Sequence, residues 1–282
     1  MLQKVWPVLI VDDEPDVLAV TRLVLKDVQV DGVPLKLHTA ASKAEAIELL
    51  SGSSGPPAAP YFAVALVDVV METPNAGLEV CDFLRNTLKN KTTQIYIRTG
   101  QAGVAPERAV VDRYDINGYF TKVETTEDKL YSMVKTGVRQ NEFLTNTEVF
   151  FRILASSAGK SRDGIAGVLG GFGAFLQGNQ VSIGVVVGGD VLAAIGLDAT
   201  EVLAECRRLD GLAGVPLTAV GDKLVYEGNT ALFKSAGDEA YLLYRGVGMP
   251  SPGLQMLHLS FLKVLAALAN ASVGSPQAAS FA

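Results

Sequence analysis

The sequence predicts an α/β protein: a (βα)5 doubly wound parallel sheet over residues 1–140, then a helical connector over 141–160 and a smaller α+β domain over 161–282. Three observations carry this. Short unbroken apolar runs near 8–11, 61–68 and 95–97 alternate with helix-period segments, as parallel strands buried on both faces do. Those runs end on polar or charged residues, which places such residues at one edge of one sheet. Beyond residue 180 the apolar runs follow one another with less helix between them, and a long amphipathic segment comes last, the pattern of an α+β domain.

Residues 8–11 form a short strand that stops at Asp12-Asp13-Glu14-Pro15. Pro15 suits the first turn of a helix, where its missing N–H costs nothing. That helix is expected to reach Lys26, with Val17, Val20, Leu23 and Val24 inward. Residues 35–39 give a second strand, 44–50 a second helix, and the Ser/Gly/Pro stretch 51–57 a surface loop. Residues 61–68 form the central strand, 77–88 a helix, 95–97 the fourth strand, 106–112 a helix, and 118–121 the fifth strand. A helix then starts near Thr126. It carries one apolar stripe at Leu130, Met133, Val134 and Val138 and a second at Val149, Phe150, Ile153 and Leu154. The two stripes read either as a connector that carries a signal and dimerises or as two packed helices.

Composition excludes several classes. Of 282 residues, 24 are basic and 30 acidic, for a net charge of -6. No basic block stands out, so no nucleic-acid surface is expected. The two cysteines, Cys81 and Cys206, lack metal spacing and fit a reducing compartment. The N-terminus has no secretory-signal pattern. Asp190 interrupts one apolar stretch, and His258 and Lys263 another, so no membrane span of about 18 residues is expected. A cytoplasmic protein follows.

Asp12 and Asp13 follow the first strand, Asp68 ends the third, Thr99 the fourth and Lys122 the fifth. Each has an ordinary reading alone: a helix cap, a turn, a strand end, a solvated lysine. Together they put three carboxylates at one sheet edge, where they repel one another and call for a divalent cation. Oxygen donors of this kind suit Mg²⁺.

The motifs VLIVDDEP, LVDVVM, IRTG and YFTK resemble those of the receiver domain of bacterial two-component response regulators, over about residues 5–140. The resemblance implies that Asp68 accepts a phosphoryl group from a sensor histidine kinase. It implies that Asp13, Asp68 and the backbone carbonyl of Val70 hold Mg²⁺, with Asp12 assisting through water. Thr99 would bond the aspartyl phosphate, Lys122 would pair with a phosphate oxygen, and Tyr119 would swing inward with Thr99. Three departures stand out. Glu72 replaces the usual Pro after Met71, Gly77 comes one place late, and Val123 replaces the Pro after Lys122. A cis bond before Val would cost about 2.5–4 kcal/mol, so that bond is expected to be trans, with a shifted Lys122 loop.

The second half is expected to hold a glycine-rich helix at 161–177, strands at 181–187, 191–195, 217–226, 231–234 and 241–244, a helix at 200–208, and a long helix at 252–271. The glycine segment lacks GxGxxG, since Leu176 stands at the last glycine's place. This half resembles the small GAF-like domain found after receivers in some regulators, often before an HD-GYP cyclic-di-GMP phosphodiesterase. Gly188-Gly189-Asp190 lacks the acids of a GGDEF site and reads as a turn. With only His38 and His258 present, no HD metal site can be built. The expectation is a non-enzymatic response regulator whose output is homodimerisation or a downstream partner. A GAF-like small-ligand sensor, the regulatory part of a longer phosphodiesterase, and a phosphorylation-independent scaffold stay open beside it.

Overall fold

The computed structural model describes residues 5–52, 62–100, 107–177, 181–246 and 249–271. Two compact units divide it, Val5–Thr145 and a second from Asn146 onward. The expected loop at 51–57 and the tail at 275–282 fall wholly or mostly outside the described residues.

In the first unit, β1 (Trp6–Val11), β3 (Val33–Ala40), β4 (Val64–Val67), β5 (Gln94–Thr99) and β6 (Gly118–Thr121) run parallel. A two-residue strand, β2 (Gln29–Val30), adds antiparallel to β3 and gives the order β2-β3-β1-β4-β5-β6. No apolar run marks β2; Trp6 Nε1 donates to the Val30 carbonyl at 3.3 Å and fixes this hairpin to β1.

Helices cover both faces, which is why β1, β4 and β5 are buried throughout. On one face Val8, Ile10, Val64, Leu66 and Tyr96 pack against Leu25 of α1 (Pro15–Leu25) and Leu130, Met133, Val134 and Val138 of α5 (Glu127–Ser157). On the other, Leu9, Val11, Ala65, Val67, Ile95 and Ile97 meet α2 (Lys43–Ser51), α3 (Ala76–Asp82) and α4 (Glu107–Tyr114). The face expected for α1 is corrected. Val20 and Leu23 are exposed, and Thr21 and Leu25 are buried instead. A hydroxyl thus takes a core position for which a valine was expected, because a buried arginine needs it, as shown below. The helix expected over 77–88 changes winding at Phe83–Thr87, a π turn.

Helix α5 is continuous, and the boundary between units falls within it. Its first stripe lies in the first unit's core, and Phe150 and Ile153 of its second stripe in the other unit's core. Gly137 does not weaken the helix there but permits close packing: a Cβ would come within 2.8 Å of Val64 and 2.9 Å of Tyr96.

The second unit is one antiparallel sheet with the order β8-β7-β12-β11-β10-β9. Its strands are β7 (Ser182–Val187), β8 (Asp190–Ile195), β9 (Val215–Pro216), β10 (Lys223–Glu227), β11 (Thr230–Ser235) and β12 (Ala240–Arg245). The single strand expected over 217–226 is corrected to β9 and β10 with a turn between them, where Gly221 takes φ +95. One sheet face packs on α6 (Arg162–Gln177), α8 (Pro252–Ala271) and the end of α5, through Ile165, Phe261, Leu262, Leu265 and Phe150. The other packs on Val202, Cys206 and Leu209 of α7 (Ala199–Asp210), whose start is closed by an Asp198/Glu201 capping box.

Contrary to expectation, α8 is long and apolar enough by length and composition to cross a membrane. Its apolar face lies in the domain core, and Lys263 pairs with the buried Asp222 carboxylate at 2.7 Å.

Candidate phosphoacceptor site

Parallel pairing brings the polar strand ends together. Val11 pairs with Val67 and Val67 with Ile97, so Asp12, Asp68 and Arg98 stand next in line at the carboxyl edge. Asp68 donates its amide to the Val11 carbonyl at 2.9 Å, and Asp12 its amide to Ala40 at 3.1 Å. Both side chains are buried, whereas Asp13 is exposed. Ligand oxygens of Asp12, Asp13 and Asp68 lie within 4.8 Å of one another. Three carboxylates this close, one open to solvent, fit a hard divalent cation that keeps some of its waters.

Lys122 reaches this group although Val123 follows it and no peptide bond among the described residues is cis. Its ammonium lies 2.7 Å from Asp68 Oδ2, 3.0 Å from Asp12 Oδ2 and 2.6 Å from Glu14 Oε1. The turn beyond it is pinned by Glu124, which accepts from the Thr121 amide at 3.1 Å and hydroxyl at 2.8 Å, leaving Val123 in solvent. Burial raises the Asp68 pKa; Lys122 and the amides of Val69 and Val70 oppose it. Burial likewise raises that of Asp12, against Lys122 and the Glu14 amide. Burial works against the Lys122 ammonium, but Asp68, Glu14 and Asp12 outweigh it and hold its pKa above the ordinary lysine value.

Asp68 Oδ1 is buried and has no hydrogen-bond partner among the described residues. One oxygen of the carboxylate is thus tied to a lysine, and the other keeps its lone pairs. Thr99 is fully buried at the end of β5, and its carbonyl accepts the Lys122 amide at 2.8 Å. Tyr119, on β6, packs against the core beneath the site.

The altered loop after Asp68 is anchored at both ends. Glu72, at the position of the family's proline, accepts the amide of Lys43 at the start of α2 at 2.9 Å. Lys43 Nζ in turn reaches Glu79 of α3 at 2.5 Å. Gly77 presses on the backbone of Asp68: a Cβ there would stand 1.7 Å from the Asp68 carbonyl oxygen. Glycine is required at that point even though it comes one place late.

Sequence reasoning missed three residues here. In the sequence Glu14 stands only in the stretch where the first strand stops, and Glu72 only as a departure. Arg98 was read only as part of a motif, yet it is buried beside the acids. A charged residue inside an apolar strand run is the signal that could have singled it out.

Comparison with known proteins agrees with this picture. No protein-family model matches the chain. Residues 5–145 have a doubly wound α/β fold with three acids and a lysine at the carboxyl edge of its parallel sheet. A curated relative, the 3'3'-cGAMP-specific phosphodiesterase 2 of Vibrio cholerae serotype O1, is 39% identical over 137 residues, 49% of this chain. The chain spans about a quarter of that relative's length, 25%. Among solved structures, a response-regulator receiver domain from Clostridium thermocellum is 17% identical over 49% of this chain and 98% of its own, with a TM-score of 0.41. The signal receiver domain of an HD domain-containing protein from Pseudomonas fluorescens Pf-5 is 16% identical over 49% of this chain and 97% of its own, with a TM-score of 0.39.

Proposed function

We propose that the chain is a phosphorelay response regulator that accepts a phosphoryl group on Asp68 from a sensor histidine kinase. The observation that carries this is the divided state of the Asp68 carboxylate, with Oδ2 held by Lys122 and Oδ1 buried and unpaired. Phosphoryl transfer asks a protein for a placed nucleophile and fixed positive charge, and little else. Oδ1 forms the new O–P bond as the P–N bond of a phosphohistidine breaks, and the freed imidazole nitrogen takes a proton from water. Lys122 then pairs with an oxygen of the group, and Thr99 donates its hydroxyl to another. Mg²⁺ held by Asp12, Asp13, Asp68 and the Val70 carbonyl would neutralise the phosphoryl oxygens. Tyr119 moves inward with Thr99, which gives the α4–β6–α5 face two packings that the acyl phosphate selects between.

The output lies in α5 and the second domain. A cytoplasmic homodimer, a downstream protein or a small ligand of the GAF-like unit are the partners this reading carries. The test is intact mass after incubation with Mg²⁺ and a small-molecule phosphodonor, beside Asp68→Asn, with solution size read on the same samples. One added phosphoryl group that the variant lacks supports the assignment. No addition, under conditions that modify a control receiver, refutes it and favours a scaffold.

The Vibrio cholerae relative supports a second reading, in which this chain is the regulatory part of a cyclic-dinucleotide phosphodiesterase. Hydrolysis of 3'3'-cGAMP by the protein, or by a partner it activates, would support it.

A further inference from the structure

Arg98 is 8% exposed. Its Nη1 donates to the Thr21 hydroxyl on α1 at 3.0 Å. Among the described residues it forms no ion pair, and its buried Nε has no partner. A guanidinium carries five donors, and burying an unpaired charge is among the most expensive things a core can do. Something nearby must compensate it.

The register says what. Ile10, Leu66 and Tyr96 share the α1/α5 face of the sheet. Two residues on in each strand come Asp12, Asp68 and Arg98, in adjacent places on adjacent strands. The guanidinium therefore belongs to the same buried row as the two carboxylates, one residue before Thr99. Its electrostatic partners are Asp12 and Asp68, acting through space rather than by contact.

Resting on the assignment of Asp68 as phosphoacceptor, we propose that Arg98, aimed by Thr21, is a positioning residue of this site. It supplies a second fixed positive charge in the acid row, so that the row can carry the further negative charge of a phosphoryl group without relying on Lys122 and metal alone. Lys122 touches the acids from the solvent side and is shared with exposed Glu14. Arg98 is locked inside and cannot leave when Lys122 turns to the phosphate.

The charge makes opposite demands on cations and anions, and this separates it from a packing role. Removing it should weaken acceptance of an anionic phosphoryl group and strengthen binding of a divalent cation. A packing defect would weaken both. The experiment compares the full chain with Arg98→Met and Arg98→Lys, reading phosphorylation rate at saturating Mg²⁺, Mn²⁺ affinity and melting temperature. Arg98→Met is expected to slow phosphorylation about tenfold and to bind Mn²⁺ several times tighter, with a melting temperature lowered in the absence of metal because Asp12 and Asp68 lose a compensating charge. Arg98→Lys, which keeps the charge, should restore most of both. Unchanged phosphorylation and unchanged Mn²⁺ affinity in a folded Arg98→Met protein would overturn the inference. Should the native protein itself take no phosphate, the assignment of Asp68 fails, and the Mn²⁺ comparison alone decides the role of Arg98.

Discussion

His258 makes the second domain acid-sensitive in a way that can be calculated. It is fully buried on α8, stacked on Phe233 at 5.0 Å and edge-on to Phe150 at 5.0 Å and Tyr244 at 5.1 Å. Nδ1 donates to the Leu254 carbonyl at 2.7 Å, which leaves Nε2 as a bare acceptor with no partner. Burial drives the imidazole pKa from 6.5 down to about 3, against the pull of that carbonyl. The folded state therefore refuses a proton that the unfolded chain accepts. Stability is full above pH 6.5 and falls as pH drops below it, by roughly 1.4 kcal/mol per unit, until the folded pKa is reached. At pH 4.5 the loss amounts to ~2.7 kcal/mol, or roughly 10 °C of melting temperature for a domain of this size. His258→Phe keeps the ring stack and removes the titration. The assay is thermal unfolding by circular dichroism at pH 7.5 and 4.5, with fluorescence of Trp6, the single tryptophan, marking the first unit's transition. Comparing native and variant proteins cancels the carboxylates that titrate in both. The native second-domain transition should drop roughly 10 °C further than the variant's between the two pH values. Parallel shifts in the two proteins would refute the reasoning.

Two further outcomes follow from the loop over Asp68. Gly77→Ala places a methyl inside the Asp68 carbonyl, so the loop or α3 must move; a loss of about 2–4 kcal/mol in urea unfolding is expected, with slower phosphorylation. Val70, an apolar side chain half-buried two residues beyond Asp68, should hinder the hydrolytic water once Asp68 carries a phosphoryl group; a phosphorylated lifetime of many minutes is expected by mass spectrometry, and one of seconds would remove that role.

The sheet was legible because its signal is dense. Parallel strands buried on both faces leave runs such as Ala65-Leu66-Val67 that few other structures produce, and a strand's end fixes which residues reach the edge. The sequence therefore suffices to place Asp12, Asp13, Asp68 and Lys122 at one edge. Helix faces were harder. Of Val17, Val20, Leu23 and Val24, which satisfy the apolar rule, Val17 and Val24 are half-buried and Val20 and Leu23 exposed, while the fully buried positions are Thr21 and Leu25, because the face is chosen by what lies opposite and not by the helix alone. Strand β2, two residues long, lies below what periodicity can detect, and the glycine turn between β9 and β10 was hidden in a mostly apolar stretch.

The residues missed at the site share one physical reason. Glu14, Glu72 and Arg98 act through partners 29 to 108 residues away in sequence. Glu72 shows it best. In the sequence it stands only as a departure, a glutamate where the resemblance implies proline. In the structure its carboxylate caps the Lys43 amide of α2, so the constraint passes from a ring closed within one residue to a bond across two elements. The chain thus departs from the family's motif without giving up the fixed loop that the motif provides. Arg98 follows the same logic with charge in place of geometry: a buried guanidinium is an error in an apolar strand and a balance beside two buried carboxylates, and only the register decides which.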